Sequence, residues 1–161
     1  MRQLGQSPGV SAAALVAGLD DPDPLVRGCT VHALLHLNPD DVGARLLETD
    51  GRWSAERMLL AGEVAGRAGA LPLRTHLAER VCAAAGDETD PSLRAHAAAA
   101  CVRVLGAGRA EAFVADPDWV VRARLAAALA ALPPSPERQA ALERLAADTH
   151  PTVRGLAAHA G

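Results

Sequence analysis

His32 and His36 stand four residues apart in LVRGCTVHALLHL, so on a helix both imidazoles face one side, as two zinc ligands must. Zinc also needs a third protein ligand and groups that orient the imidazoles, and the sequence offers neither an evident third ligand nor HExxH. The pair therefore reads as two polar residues on a solvent-facing stripe, and no metal or other cofactor is expected. Cys29 lies three residues before His32, where a thiolate could meet a base, but nothing further is placed to orient that base. The three cysteines, Cys29, Cys82 and Cys101, are odd in number, widely spaced and without CxxC. That excludes a disulfide framework and an ordinary zinc knuckle, and it fits a reducing cytoplasm. Acid clusters such as Asp20, Asp21 and Asp23 could hold a cation or move protons. They lack the glycine and distal glutamate of a calcium loop and stand where helix starts need caps. No nucleophile elbow, Walker loop or dinucleotide fingerprint occurs, so no catalytic residue is assigned and the chain is expected not to be an enzyme.

The elements that carry these residues follow from composition. Alanine exceeds a fifth of the chain, Tyr and Ile are absent, and Phe113 is the single phenylalanine. Such side chains cannot fill a thick core, but they suit thin layers of closely packed helices, and alanine is the strongest helix former. All 16 basic residues are arginine against 19 acids, and the net charge of −3 argues against a general nucleic-acid binder. The alanine and arginine bias reads as the mark of a GC-rich, bacterial genome. MRQLGQSPGV has no apolar core of a signal peptide, and no apolar run approaches the ~20 residues of a membrane span. A soluble cytoplasmic protein is expected.

Internal similarity decides the architecture. DPDPLVRGCTVHALLHL, ETDPSLRAHAAAACVRVL, DPDWVVRARLAAALAAL and DTHPTVRGLAAHAG align on Arg27, Arg94, Arg122 and Arg154. A fifth, degenerate copy, ETDGRWSAERMLLAGEVAG, aligns with Ser54 in the arginine slot and Trp53 in the apolar slot before it. Successive anchors lie 27, 40, 28 and 32 residues apart, which suits a pair of helices per copy. An acid followed by proline starts a helix, and small or apolar residues then recur about 3, 6, 7 and 10 positions after the anchor, on one helical face. First helices are expected at roughly 9–19, 39–48, 72–85, 107–115 and 135–147. Second helices are expected at roughly 24–37, 52–67, 91–105, 118–132 and 151–160, all within one domain spanning the whole chain. Cys101 then takes a core slot and Cys29 an exposed one. Val153 and Ala157 occupy core slots with no following copy, which points to a frayed end or to end-to-end self-association.

DPDPLVRxxxxxAL and DPDWVVRxxLAAALAAL resemble HEAT-like repeats of the phycobilisome-lyase type, with their D-P-x-x-V-R-x-x-A-x-x-A-L pattern. The resemblance covers nearly the whole chain and implies an all-α fold, a right-handed α-solenoid of about five HEAT-like helix-hairpin repeats. It further implies a ladder between neighbouring repeats. The acids Asp21, Asp23, Glu48, Asp50, Glu88, Asp90, Asp116, Asp118 and Asp148 would face Arg27, Arg94, Arg122 and Arg154, with a break at Ser54 and with His150 in place of an acid. It leaves function open, because the family spans scaffolds, adaptors, bilin lyases and DNA-glycosylase relatives.

The expected function is a non-enzymatic scaffold or adaptor that holds another protein or peptide on the concave face, which second helices line in such stacks. Residues 2, 5 and 9 positions after each anchor form the exposed stripe, and it includes His32, His36, Glu56, Glu63, His96, Arg103 and Arg124. Trp119 replaces the helix-starting proline of other copies, and it reads either as packing on the neighbouring turn or as an interface anchor. The alternatives are a nucleic-acid-binding or glycosylase-type protein and a cofactor lyase or chaperone. The first would need a basic, aromatic-bearing face where this chain offers only Arg103 and Arg124.

Overall fold

A capping side chain and a first-turn proline set most of the helix starts. Asp23, Asn38, Asp90, Ser135 and His150 each accept a hydrogen bond from a backbone N–H of the first turn, and proline follows each of them. Ser11, Ser54 and Asp118 cap in the same way without proline. Each cap satisfies a donor that the helix itself leaves open.

The computed structural model describes residues 11–49 and 53–160, and these residues are all-helical. The elements are α1 (Ala12–Val16), α2 (Pro24–Leu35), α3 (Pro39–Leu47), α4 (Ala55–Arg67), α5 (Leu71–Gly86), α6 (Pro91–Leu105), α7 (Trp119–Ala130), α8 (Pro136–Ala146) and α9 (Pro151–Ala158). Short 3-10 segments follow α1 at Ala17–Asp20 and α6 at Ala107–Ala112. No described helix is long and apolar enough to cross a membrane.

The order of packing follows the order of the chain. Helix α2 packs on α4, α4 on α6, α6 on α7, and α7 on α9. On the other side of that row, α1 packs on α3 and α3 on α5, while the second 3-10 segment meets α8. Between the two rows lies one apolar cluster running from Val16 to Ala157, in which Leu34, Leu60, Leu125 and Leu129 are fully covered. Small residues let the rows close up. A Cβ on Gly62 of α4 would come within 2.9 Å of His96 Nε2 and 3.2 Å of Ala100 Cβ on α6, so α4 and α6 approach more closely than any larger residue allows.

Three expectations change. The helix read at 107–115 is a 3-10 segment instead. It opens at Gly106, whose φ of +92° only glycine adopts readily, and its three-residue period puts Ala110 and Phe113 on one side, both buried. Second, Ser54 does not occupy the arginine slot. In the other copies the arginine lies four residues after the cap, at Arg27, Arg94, Arg122 and Arg154 after Asp23, Asp90, Asp118 and His150. Ser54 is itself the cap of α4, which puts buried Met58 in that slot. Third, Val153 and Ala157 do not face an open end but are buried where α9 meets α7 and α8. Arg138 fastens this end, with Nε donating to Leu129 O at 2.9 Å and Nη2 to Ala160 O at 2.6 Å. The expected helix starts at residues 9 and 52, and the ladder acid Asp50, lie outside the described residues.

Candidate functional site

Arginine side chains divide into those that tie copies together and those left facing outward. Arg94 grips Asp116 with Nε and Nη2 at 2.9 and 3.0 Å, while its Nη1 donates to the carbonyls of Glu88 and Thr89. Arg122 holds Asp148 in the same way at 2.5 and 3.0 Å and donates to Asp116 O. Both are two-pronged bonds of a planar guanidinium with a carboxylate. The hydrogen bond to Asp116, followed by the charges around it, raises the affinity of Arg94 for its proton; Asp148 does the same for Arg122. Burial alone would raise the Asp116 carboxyl, but the Arg94 bond and the Asp118 N–H outweigh it and hold the group below its usual range. Arg122 depresses the Asp148 carboxyl against a smaller effect of burial. Asp21, Glu88, Asp116 and Asp148 each also accept the backbone N–H two residues on.

The first copies are tied differently. Arg27 donates to Glu56 Oε1 at 2.7 Å, so Glu56 is engaged within the protein and does not stand free on the stripe. Arg57, which the sequence reading passed over, is buried and holds Asp20 with two nitrogens and Thr49 Oγ1 with a third. Arg154 donates to the carbonyls of Asp148 and Thr149. His150 does the work of the missing acid by capping α9 through Nδ1.

Four arginines have no carboxylate within ion-pair reach among the described residues and meet on one face. A groove of about 240 Å³ between α4 and α6 is lined by Gly62, Glu63, Gly66, Arg67, Ala100 and Arg103, and Arg74 at the start of α5 closes it. The adjoining groove between α6 and α7, about 200 Å³, is lined by Ala99, Arg103, Arg124, Ala127, Ala128 and Ala131. Arg103 stands between the two, its Nε donating to Ala99 O at 3.1 Å. Arg67 donates to Leu35 O. The Nε of Arg74 is buried without a hydrogen-bond partner. His96 sits beside this row, with Nε2 3.2 Å from Leu59 O and 3.8 Å from Glu63 Oε1. Burial lowers its affinity for a proton, Glu63 and the Leu59 carbonyl oppose that, and Arg103 and Arg124 add to it.

Of the expected stripe, the structure thus gathers Glu63, His96, Arg103 and Arg124. His32 and His36 are exposed on α2, their Nε2 atoms 3.4 Å apart with the rings edge to face. No cluster able to hold a metal occurs among the described residues. Trp119 stacks flat on His150 with ring centroids 4.1 Å apart and stays 42% exposed. Arg67 and Arg74 were missed. The stripe was drawn only along second helices, and Arg74 belongs to a first helix.

Cys101 is buried and Cys29 exposed, as expected, and Cys101 Sγ donates to Ala78 O at 3.7 Å, one helical turn before Cys82. The neighbouring Cys101, and more weakly Arg109, pull the Cys82 thiol down to about 7 against burial, whereas Cys101 is pushed up and keeps its proton. No family model, curated protein or solved structure matches this chain.

Proposed function

We propose that this chain is a non-enzymatic cytoplasmic scaffold or adaptor: a right-handed α-solenoid of about five HEAT-like hairpins that binds another polypeptide on the concave face formed by α2, α4, α6, α7 and α9. One observation carries the reading. Arg67, Arg74, Arg103 and Arg124, without carboxylate partners among the described residues, line two adjoining grooves on the α4–α6–α7 face, floored by glycine and alanine. Among the described residues most other arginines pair with acids, so four on one face without carboxylates form a surface suited to something outside the chain. Support for the stack comes from the motif resemblance and from second helices that each touch the next.

Site-specific photo-cross-linking tests the reading. A photoreactive side chain at Ala127, on the groove, should capture a discrete polypeptide from the native cytoplasm. The same probe at exposed Ala140 on α8 should not. Equal labelling at both positions would dismiss this face as the site.

A further inference from the structure

We infer that the occupant of the α4–α6–α7 face is an acidic polypeptide segment, whose carboxylates are held by Arg74, Arg103 and Arg124 while its backbone lies over the glycine and alanine floor. The inference rests on the reading of this face as a binding face, and it adds the chemistry of the partner.

Charge is the first argument. The chain carries a net −3, yet the side chains that rise from these grooves are arginines, with Glu63 as the single acid lining them. Glu63 already leans toward His96 at 3.8 Å. His96 is disfavoured from taking a proton by burial first and by Arg103 and Arg124 in addition, so the excess positive charge near neutrality belongs to the guanidiniums. A guanidinium is a fork of fixed geometry that fits a carboxylate with two parallel bonds. The protein already uses that fit twice, in Arg94 with Asp116 and Arg122 with Asp148. Arg74 is half-buried and lines the same groove as Arg103, with no carboxylate of the described residues paired to it.

Spacing is the second. Arg103 on α6 and Arg124 on α7 line the same groove, so acids spaced along one segment laid across it can meet both. The floor decides what can lie between them. Gly62, Gly66, Ala99 and Ala127 leave a shallow channel that admits a main chain with short side chains. A single-stranded nucleic acid is held by aromatic platforms as well as by charge, and neither groove is lined by an aromatic residue.

The test uses the full chain and three fluorescent probes read by anisotropy. They are an alanine-rich helical peptide with glutamates one turn apart, the same peptide with lysines in their place, and a single-stranded oligothymidylate. The glutamate peptide should bind and weaken with added salt. R103E/R124E should weaken that binding about tenfold or more without lowering the melting temperature, because both side chains are exposed. R144E, on the Glu111 pair away from these grooves, should leave it unchanged. Glutamate and lysine peptides binding alike, indifference to R103E/R124E, or tighter binding of the oligothymidylate would each overturn the inference. Selection from a random peptide library separates this failure from failure of the binding face itself. Apolar or basic peptides that bind wild type and are lost on A127W would overturn only the acidic occupant. Peptides indifferent to A127W would overturn both readings.

Discussion

The two halves of this chain solve one problem in different ways. From α6 onward, Arg94 and Arg122, each four residues after a cap, reach forward to the first acid of the next turn, Asp116 and Asp148. Before α6 the pattern bends. Arg27 reaches forward past the turn into the first turn of α4, to Glu56, and Arg57 reaches back to Asp20. The burial of the acids differs in step. Asp116 and Asp148 side chains are each 8% exposed, whereas Asp20 is 61% exposed against an Arg57 side chain at 4%. A motif that looks uniform in sequence therefore yields joints of unequal cost, because what matters is how dry the acid is once its arginine is gone.

That inequality is open to measurement. Arg94→Ala or Arg122→Ala leaves a carboxylate in a nearly dry place and should cost about 3 kcal/mol in chemical or thermal unfolding. Arg57→Ala loses three side-chain bonds but leaves Asp20 in water, so about 2 kcal/mol is expected. Arg27→Ala should cost less than either. Equal losses at all of these positions would erase the contrast between the halves.

Ser54→Ala sharpens it further. Taken as a broken rung, this substitution should be almost silent, but Ser54 accepts the Arg57 N–H at 3.3 Å as the cap of α4. Loss of such a cap costs about 1 kcal/mol. A melt indistinguishable from wild type would restore the sequence-based register.

Acid titration probes the same joints. Asp116 and Asp148 have carboxyls held below their unfolded range, so their contribution is fully present above about pH 4 and is lost as pH falls through the folded values. Wild type should lose stability steadily below about pH 4, and Asp148→Asn should start lower and fall less. Parallel acid profiles for the two proteins would count against the assignment.

Two smaller effects concern the middle of the chain. Cys82, its thiol drawn down to about 7 beside Cys101 and Arg109, should react with iodoacetamide with a midpoint below that of a free thiol, and Cys101→Ala should move that midpoint up. An unmoved midpoint would mean that the two thiols do not interact. His96 is held neutral by burial, so its contribution is present above about pH 6.5 and shrinks as pH falls through its lowered folded value. His96→Gln should flatten this last, slight slope in stability between about pH 7 and 5. A slope equal to wild type would place its origin elsewhere.

What the sequence disclosed was local. Asp-Pro at α2 and α6 and His-Pro at α9 placed those starts to the residue, and the apolar face counted from each anchor found Thr30, Ala97, Leu125 and Ala157 at buried positions. Errors arose where a single residue type had two uses. Aligning copies on arginine forced Ser54 into a slot that its chemistry as a cap contradicts. The alanine-rich stretch after Gly106 looked helical by propensity, whereas burial of Phe113 favoured a tighter turn. Long-range pairing stayed hidden. Nothing in helical spacing reveals that Glu56 belongs to Arg27, 29 residues away, or that Arg74 of a first helix closes a groove between two second helices.

The direction of each grip also sets a schedule for synthesis. A ribosome delivers the chain from its N-terminus, so Asp20 and Thr49 have already been made when Arg57 emerges, and that grip can close at once. Arg94 and Arg122 emerge 22 and 26 residues ahead of Asp116 and Asp148, and until then each is a cation waiting beside carbonyls of its own turn. The early part of the chain can therefore lock while it is still attached, and each later copy completes the one before it.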